Sequence, residues 1–332
     1  KFLSYRIILV KVLSSLIGVI GGGAIGREGP TLQISGSIFH LLDKKWKYSD
    51  SKERHSFLLA GAAAGLASAF NTPLGGIVYA IEELAKSHLS TFRTGVVHAV
   101  IFAGIIAQLI LGPYLYFGYP KIPTFEYSML WQFSLLAIVS AIVVTLFALS
   151  LKLIVINREK VRKFSHKVFL AIFVGLVLAA ISIWLSKNSL GPGKTLLNEL
   201  LFKGQKVQFN DVISRFLGSL LTYANGGAGG IFAPTLSLGG TASAFYENLM
   251  NYNLGPLAVL IGMTAGLAAL THSPLTSFIL ILEMTDRHSS IFPLMIASVV
   301  GHGVSRLISP QSFYEFVFER LMKKIESEKN VD

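Results

Sequence analysis

The stretches Gly23-Ala-Ile-Gly-Arg-Glu-Gly-Pro-Thr-Leu-Gln-Ile-Ser-Gly36 and Gly227-Ala-Gly-Gly-Ile-Phe-Ala-Pro-Thr-Leu-Ser-Leu-Gly-Gly240 lie 204 residues apart and agree at seven of fourteen positions. A second pair follows in the same order. Gly61, Ala64, Gly65, Leu66, Ala67, Pro73, Leu74 and Glu82 each meet the same residue 201 positions later, within Gly262–Glu283. Two blocks kept in order and nearly in register identify a duplicated unit. In each glycine motif the glycines permit backbone dihedrals that other residues avoid, and the proline suits the first turn of a helix. Each motif therefore reads as a loop that delivers a helix N-terminus, with its unpaired N–H groups and the positive end of its dipole.

What surrounds the motifs sets the solvent. The chain has 332 residues, 52% apolar and only 14% charged, with 29 Lys+Arg against 18 Asp+Glu and a net charge of +11. Soluble domains usually carry about 25% charged residues, so an ordinary soluble enzyme is excluded. Residues 127–151 and 168–186 contain no charged side chain, and each can cross a bilayer core of about 30 Å as a helix. Further uncharged runs, at 56–81, 94–120, 216–246, 248–282 and 289–305, are in several cases broken by Gly or Pro. Backbone broken at membrane depth must be buried in protein or line a cavity, because lipid cannot satisfy its polar groups. Paired, interrupted apolar segments of this kind point to a transporter site. The basic charge sits between apolar runs rather than on one solvated face, so nucleic acid is not expected as a partner. Zero cysteines exclude disulfides, thiolate metal sites and a cysteine nucleophile. No cofactor, metal or catalytic set is expected either, and the scattered histidines, among them His272 and His302, read as packed polar groups.

Loop charge gives an orientation. Asp43–His55 carries Lys44, Lys45, Lys47, Lys52 and Arg54, whereas its counterpart Tyr246–Gly255 has no Lys or Arg. By the positive-inside rule the two loops face opposite sides, which makes the repeat an inverted one. Arg158–Lys167 and Arg320–Lys324 are placed with the first loop. Lys187, Lys194, Lys203 and Lys206 fall on the other side, against the rule. Inverted copies set the two glycine-rich helix starts against one another near the midplane. They form a site for a small anion held by backbone donors. Neither stretch ends in the Gly-Lys-Ser/Thr of a phosphate loop.

Glu28 lies inside this anion site. Ionised, it can take the anion's place as a tethered competitor; protonated, it leaves and carries a proton. A salt bridge to the adjacent Arg27 is the alternative. Glu82 has the counterpart Glu283, which suggests a shared capping or pairing role. Glu83 and Glu28 have none, since Met284 and Phe232 occupy the matching positions. Broken symmetry at these two carboxyls marks them as two proton stations on one path.

Gly26–Pro30 (GREGP), Gly229–Pro234 (GGIFAP), the block Gly61–Leu84, the block Gly262–Thr285 and the segment Ser312–Leu321 together resemble the CLC family of chloride channels and chloride/proton antiporters. The resemblance covers nearly the whole chain. It implies an all-α, polytopic inverted-repeat fold in a single transmembrane domain over 1–332. The first repeat would run to about 111, the second over about 129–307, with a C-terminal helix over about 312–326. It also implies chloride/proton exchange, with a passive chloride channel as the alternative. Glu28 would be the gating glutamate and Glu83 the internal proton glutamate. The N–H groups of Ile231 and Phe232 and the hydroxyl of Tyr314 would hold the central anion, and the N–H groups around Arg27–Gly29 and of Ala233 would line the outer site. Chloride is the expected bound substrate, with protons as the second. A homodimer in the lipid bilayer of a bacterial inner membrane is implied as well. The family's early GSGIP motif has no match in this sequence. Its counterpart in the second half is Leu190-Gly-Pro-Gly193, which places the motif upstream of Lys1, so a first anion-binding loop is expected to precede this chain.

Overall fold

The computed structural model describes residues 3–46, 51–84, 94–112, 115–159 and 163–329, with the side chains of 51–55 and 328–329 excepted. Lys47 lies outside these residues, as do the side chains of Lys52 and Arg54, so most of the basic loop that sets the expected orientation is not covered.

The described residues form fourteen α-helices and no strand. In chain order they are α1 (Tyr5–Ile20), α2 (Glu28–Trp46), α3 (Ser51–Phe70), α4 (Pro73–Tyr79), α5 (Thr94–Leu111), α6 (Leu130–Arg158), α7 (Phe164–Trp184), α8 (Lys194–Lys203), α9 (Phe209–Asn225), α10 (Phe232–Met250), α11 (Pro256–Thr271), α12 (Pro274–Thr285), α13 (Ile291–Ile308) and α14 (Phe313–Lys329). The all-α expectation therefore holds for the described residues. The final helix runs three residues further than the expected 326.

Among the described residues, four helical stretches are long and apolar enough to cross a bilayer: Thr94–Leu111, Tyr127–Arg158, Phe164–Trp184 and His288–Ile308. The other apolar runs are broken, and local chemistry breaks them. The run 56–81 stops at Asn71 and the run 248–282 at His272, two residues that adopt left-handed backbone with φ of 57° and 58°. A proline two residues later then opens the next helix at N1, a position where its missing N–H costs nothing. The apolar stretch Ile7–Ile25 is likewise not one helix. It ends at Ile20 and turns through Gly21–Gly23, with Gly22 at φ 76°.

The repeated blocks correspond in structure as well as in sequence. α2 and α10 both have 19 residues, and both their ends are 204 positions apart. Asn71 and His272, with nearly the same positive φ, are 201 apart. Close approach of backbones holds the second half's core together. A Cβ built on Gly262 of α11 would lie 2.3 Å from the Gly239 carbonyl oxygen of α10, and one on Gly239 would lie 2.3 Å from that of Gly262. Between helices in lipid, where no solvent drives association, small residues at the seam supply the packing. α6 packs against this pair, with Phe133, Leu136, Val144, Phe147 and Leu151 fully buried.

At one end of the bundle α14 is tied to α6. Arg320 bonds Glu159 through both nitrogens Nε and Nη2, and Lys152 donates to Ser309 Oγ at 2.9 Å and to the Gln311 carbonyl at 2.6 Å. The Arg320 hydrogen bond holds the Glu159 carboxyl below the ordinary carboxylate range.

Two outcomes follow. Gly262→Val should destabilise the protein by about 1–3 kcal/mol through overpacking. Gly175→Ala, with nothing within 4 Å of the added Cβ, should be neutral or slightly stabilising; thermal unfolding in detergent compares the two. A depressed Glu159 contributes stability above its unfolded pKa and loses it as pH falls through the lower folded value. The pair is solvent-exposed and worth at most about 1 kcal/mol. A spin label on Ser327→Cys, unique in a chain without cysteine, should therefore become more mobile with Glu159→Gln at pH 7, and respond little to that substitution below pH 3.

Candidate functional site

The two glycine motifs meet. Gly26 N–H donates to the Gly230 carbonyl at 2.8 Å, and Gly230 N–H donates back to the Gly26 carbonyl at 2.7 Å. This reciprocal pair sits at equivalent positions of the two halves, and it relates them by a local two-fold. It sets the N-terminus of α2, at Glu28, beside that of α10, at Phe232. The loops on either side are fixed as well. Gly191 N–H donates to the Gly22 carbonyl at 3.0 Å, and Ala24 N–H to Thr222 Oγ1 at 3.1 Å. Glycine is required at the crossing because a Cβ on Gly230 would lie 2.7 Å from the backbone nitrogen of Gly29.

Glu28 is fully buried. Its carboxylate folds back over the crossing, so that a Cβ on Gly26 would fall 1.9 Å from Oε2 and one on Gly230 2.7 Å from the same oxygen. The backbone amides of Glu28, Ala233 and Arg27 are its nearest polar neighbours, yet neither oxygen meets a donor in good hydrogen-bond geometry. A carboxylate thus lies at two helix N-termini at once, where the dipoles favour negative charge by roughly half an elementary charge each. The alternative salt bridge to Arg27 does not form. Arg27 Nη2 donates to the Ala69 carbonyl at 2.6 Å, and its guanidinium lies 5.6 Å from the Tyr116 ring, whose face also receives Lys194 Nζ at 4.1 Å.

Ile231, Phe232 and Ala233 are buried together at the start of α10. The Phe232 ring is 6.0 Å from that of Tyr314, 5.9 Å from Tyr79 and 6.3 Å from Phe70. Tyr314 lies in the electrostatic field of both Glu28 and Glu83, as well as that of Tyr79. Gly29, unlike these, is exposed on the Arg27 side. Of the residues expected from the sequence, Glu28, Ile231, Phe232, Ala233 and Tyr314 therefore converge, Gly29 adjoins the crossing, and the Arg27 side chain is directed away.

Glu82 and Glu83 occupy a π-helical turn, Ala80–Leu84, that continues α4, rather than a regular α-helical end. The turn directs the two carboxyls to different partners. Glu82 accepts from the Leu275 and Thr276 amides at 3.1 and 2.7 Å and from Thr276 Oγ1 at 2.8 Å, at the start of α12. Its counterpart Glu283 accepts from the Leu74 and Gly75 amides at 3.1 and 2.8 Å, at the start of α4. Each half caps a helix of the other. Glu83 Oε2 instead accepts from Ser273 Oγ at 2.8 Å.

Sequence reasoning missed Tyr79, Phe70, Tyr116 and Ser273. Tyr79 carried a usable signal: it is a polar ring within an apolar run, one turn before Glu83 on the same face. Ser273, 190 residues from its partner, carried none.

Replacing either cap, Glu82→Ala or Glu283→Ala, should cost about 1–2 kcal/mol, as lost helix caps do, and by similar amounts. Detergent unfolding of the two variants side by side measures this.

The family model described as "Voltage gated chloride channel" matches residues 1–306. The chain is 29% identical over 337 residues to the H(+)/Cl(-) exchange transporter ClcA of Vibrio campbellii, an alignment covering 96% of this chain and 70% of that one. It is 30% identical to the protein of the same name from Yersinia pestis, with 97% and 70% covered. Among solved structures it superposes on a slow cyanobacterial Cl-/H+ antiporter with a TM-score of 0.81 at 25% identity, covering 96% of this chain and 77% of that one. A CLC-type fluoride/proton antiporter shares the fold at a TM-score of 0.82 and 18% identity, with 94% and 77% covered. With its apolar helices, its crossed glycine motifs and a match running over most of its length, this chain is an integral membrane protein that belongs to the voltage gated chloride channel family.

Proposed function

We propose that this chain exchanges chloride for protons across a membrane, with Glu28 as the alternating element. The observation that carries the reading is the buried Glu28 carboxylate, seated over the Gly26–Gly230 crossing at the N-termini of α2 and α10. A site that accommodates a carboxylate oxygen against backbone amides accommodates a chloride by the same means. In the ionised form Glu28 excludes the anion. Once protonated it no longer gains from the helix ends, swings away, and leaves the site to chloride. Partial backbone charges, unlike a buried lysine, bind the anion weakly enough to let it go.

In this reading the Ile231 and Phe232 amides and the Tyr314 hydroxyl hold the central chloride, and Gly29 and Ala233 flank its outer neighbour. Arg27 contributes there through its backbone N–H, while its side chain is engaged by Ala69 and Tyr116. Glu83 delivers protons from the other end of the path, and Tyr79 and Tyr314 lie along the way. The chain would function as a homodimer in a bacterial inner membrane, its two repeats spanning about 1–111 and 129–307. Its relatives in the comparison are transporters rather than enzymes.

Vesicles holding the purified chain test this. Under opposed pH and chloride gradients the reversal potential should lie away from the chloride equilibrium value; a potential fixed at that value makes the protein a passive channel. Glu28→Gln should abolish proton movement and retain chloride movement, with a loss of pH dependence. Retained proton coupling would remove Glu28 from the mechanism.

A further inference from the structure

Glu83 is reached from Ser273, and Ser273 follows His272. The imidazole of His272 stands at 88° to that of His302, with ring centroids 5.3 Å apart, and both rings are half-buried. His272 Nε2 is 3.1 Å from Ser305 Oγ. Ser305 spends its own proton on the Ala269 carbonyl at 2.6 Å, so its oxygen accepts and His272 Nε2 carries the hydrogen. Nδ1 is then the basic nitrogen of His272. Two imidazoles this close do not readily both hold a charge, so the pair can share one proton.

The repeat shows that this chemistry is an addition. The counterpart of His272 is Asn71, at the same left-handed backbone, which asparagine tolerates well. The counterpart of Ser273 is Thr72, and that of Glu83 is Met284. A fold that needs only a left-handed residue before the α12 cap is served by asparagine. Here an imidazole stands in its place, at the one of the two equivalent junctions that also holds an extra carboxyl.

We propose that His272 and His302 form the proton-exchange station that serves Glu83, with the Ser273 hydroxyl, bonded to Glu83, as the relay. The inference rests on the exchange reading given above. A proton taken up on the imidazole pair passes through water to the Ser273 hydroxyl, which gives its own proton to Glu83 Oε2 and regains one from the ring side. Among the described residues, the other charged groups in this neighbourhood are engaged elsewhere or exposed. Glu82 caps α12, and Lys152 of α6 is bonded beyond the end of α13. Arg306, one turn after His302 on α13, is exposed. From α4 and α14 the phenols of Tyr79 and Tyr314 face Glu83.

The test has two arms, both on the full chain. In vesicles, His272→Asn, which restores the residue of the other repeat, and His302→Gln should each slow proton-coupled exchange about 3- to 10-fold between pH 7 and 8. Both should recover toward pH 5, where protons are abundant. Ser273→Ala should slow exchange at every pH, and Ser273→Thr should rescue it. An unchanged pH profile overturns the proposal. So does an equal loss of chloride flux in a Glu28→Ala background, where no proton step is needed, because that marks the histidines as packing groups. In detergent, a nitrogen-15 histidine titration should show the midpoint of the pair falling by about half a unit or more with Glu83→Gln, since a nearby carboxylate favours the imidazolium. A midpoint that does not move overturns the linkage whatever the transport activity. If the unmodified chain moves no protons while the midpoint does shift, the exchange reading fails and the linkage of the pair to Glu83 stands.

Discussion

Two hydrogen bonds between Gly26 and Gly230, each the mirror of the other, hold the rest of the site in register. They bring two backbones so close that no side chain fits between them, and glycine is the only residue that permits it. Everything chemically useful follows from that approach. Two helix N-termini end on one small volume, and their amides supply a positive environment without any full cation. The carboxylate of Glu28 can then be buried without a salt bridge to a lysine or arginine. Move the strands apart by the width of a methyl group, and the helix ends would no longer act on a common point.

The same two-fold logic recurs at the junctions between α3 and α4 and between α11 and α12. A left-handed residue stops one helix, a proline starts the next, and a carboxylate from the opposite half caps it. Equivalence is kept where it holds the fold, as at Glu82 and Glu283. It is broken at Glu28, Glu83 and His272, where the matching residues are Phe232, Met284 and Asn71. In the proposed reading, structural constraint and proton chemistry are therefore separable along one chain: the former is symmetric, the latter is not.

Much of this was legible in the sequence because duplication doubles every signal. The helix starts at Glu28 and Phe232 follow from Gly-rich loops ending in proline, and the breaks near 72 and 273 follow from Pro73 and Pro274. Other features were not legible. Gly21–Gly23 ends an apolar stretch that hydropathy alone joins into one segment. Ala80–Leu84 adopts a π turn, and that register sends Glu82 to the first amides of α12 and Glu83 to the hydroxyl of Ser273 just before them; no composition signal distinguishes it from an α turn. The direction taken by Arg27 depends on the carbonyl of Ala69, which only the packing of α2 on α3 brings within reach. Side-chain choices among partners far apart in the chain are decided by tertiary geometry, and periodicity does not report them.

The exchanged carboxylates have a consequence for how such a molecule could arise. Neither half holds the acid that closes its own proline-started helix; the partner half does. A half-length chain on its own would leave two amides bare and one acid idle. The same chain inserted both ways round, and paired with itself, would satisfy all of them. Gene fusion would then have preserved an existing association rather than created one, and afterwards allowed the two copies to diverge in their acids and bases without disturbing the clasp between them.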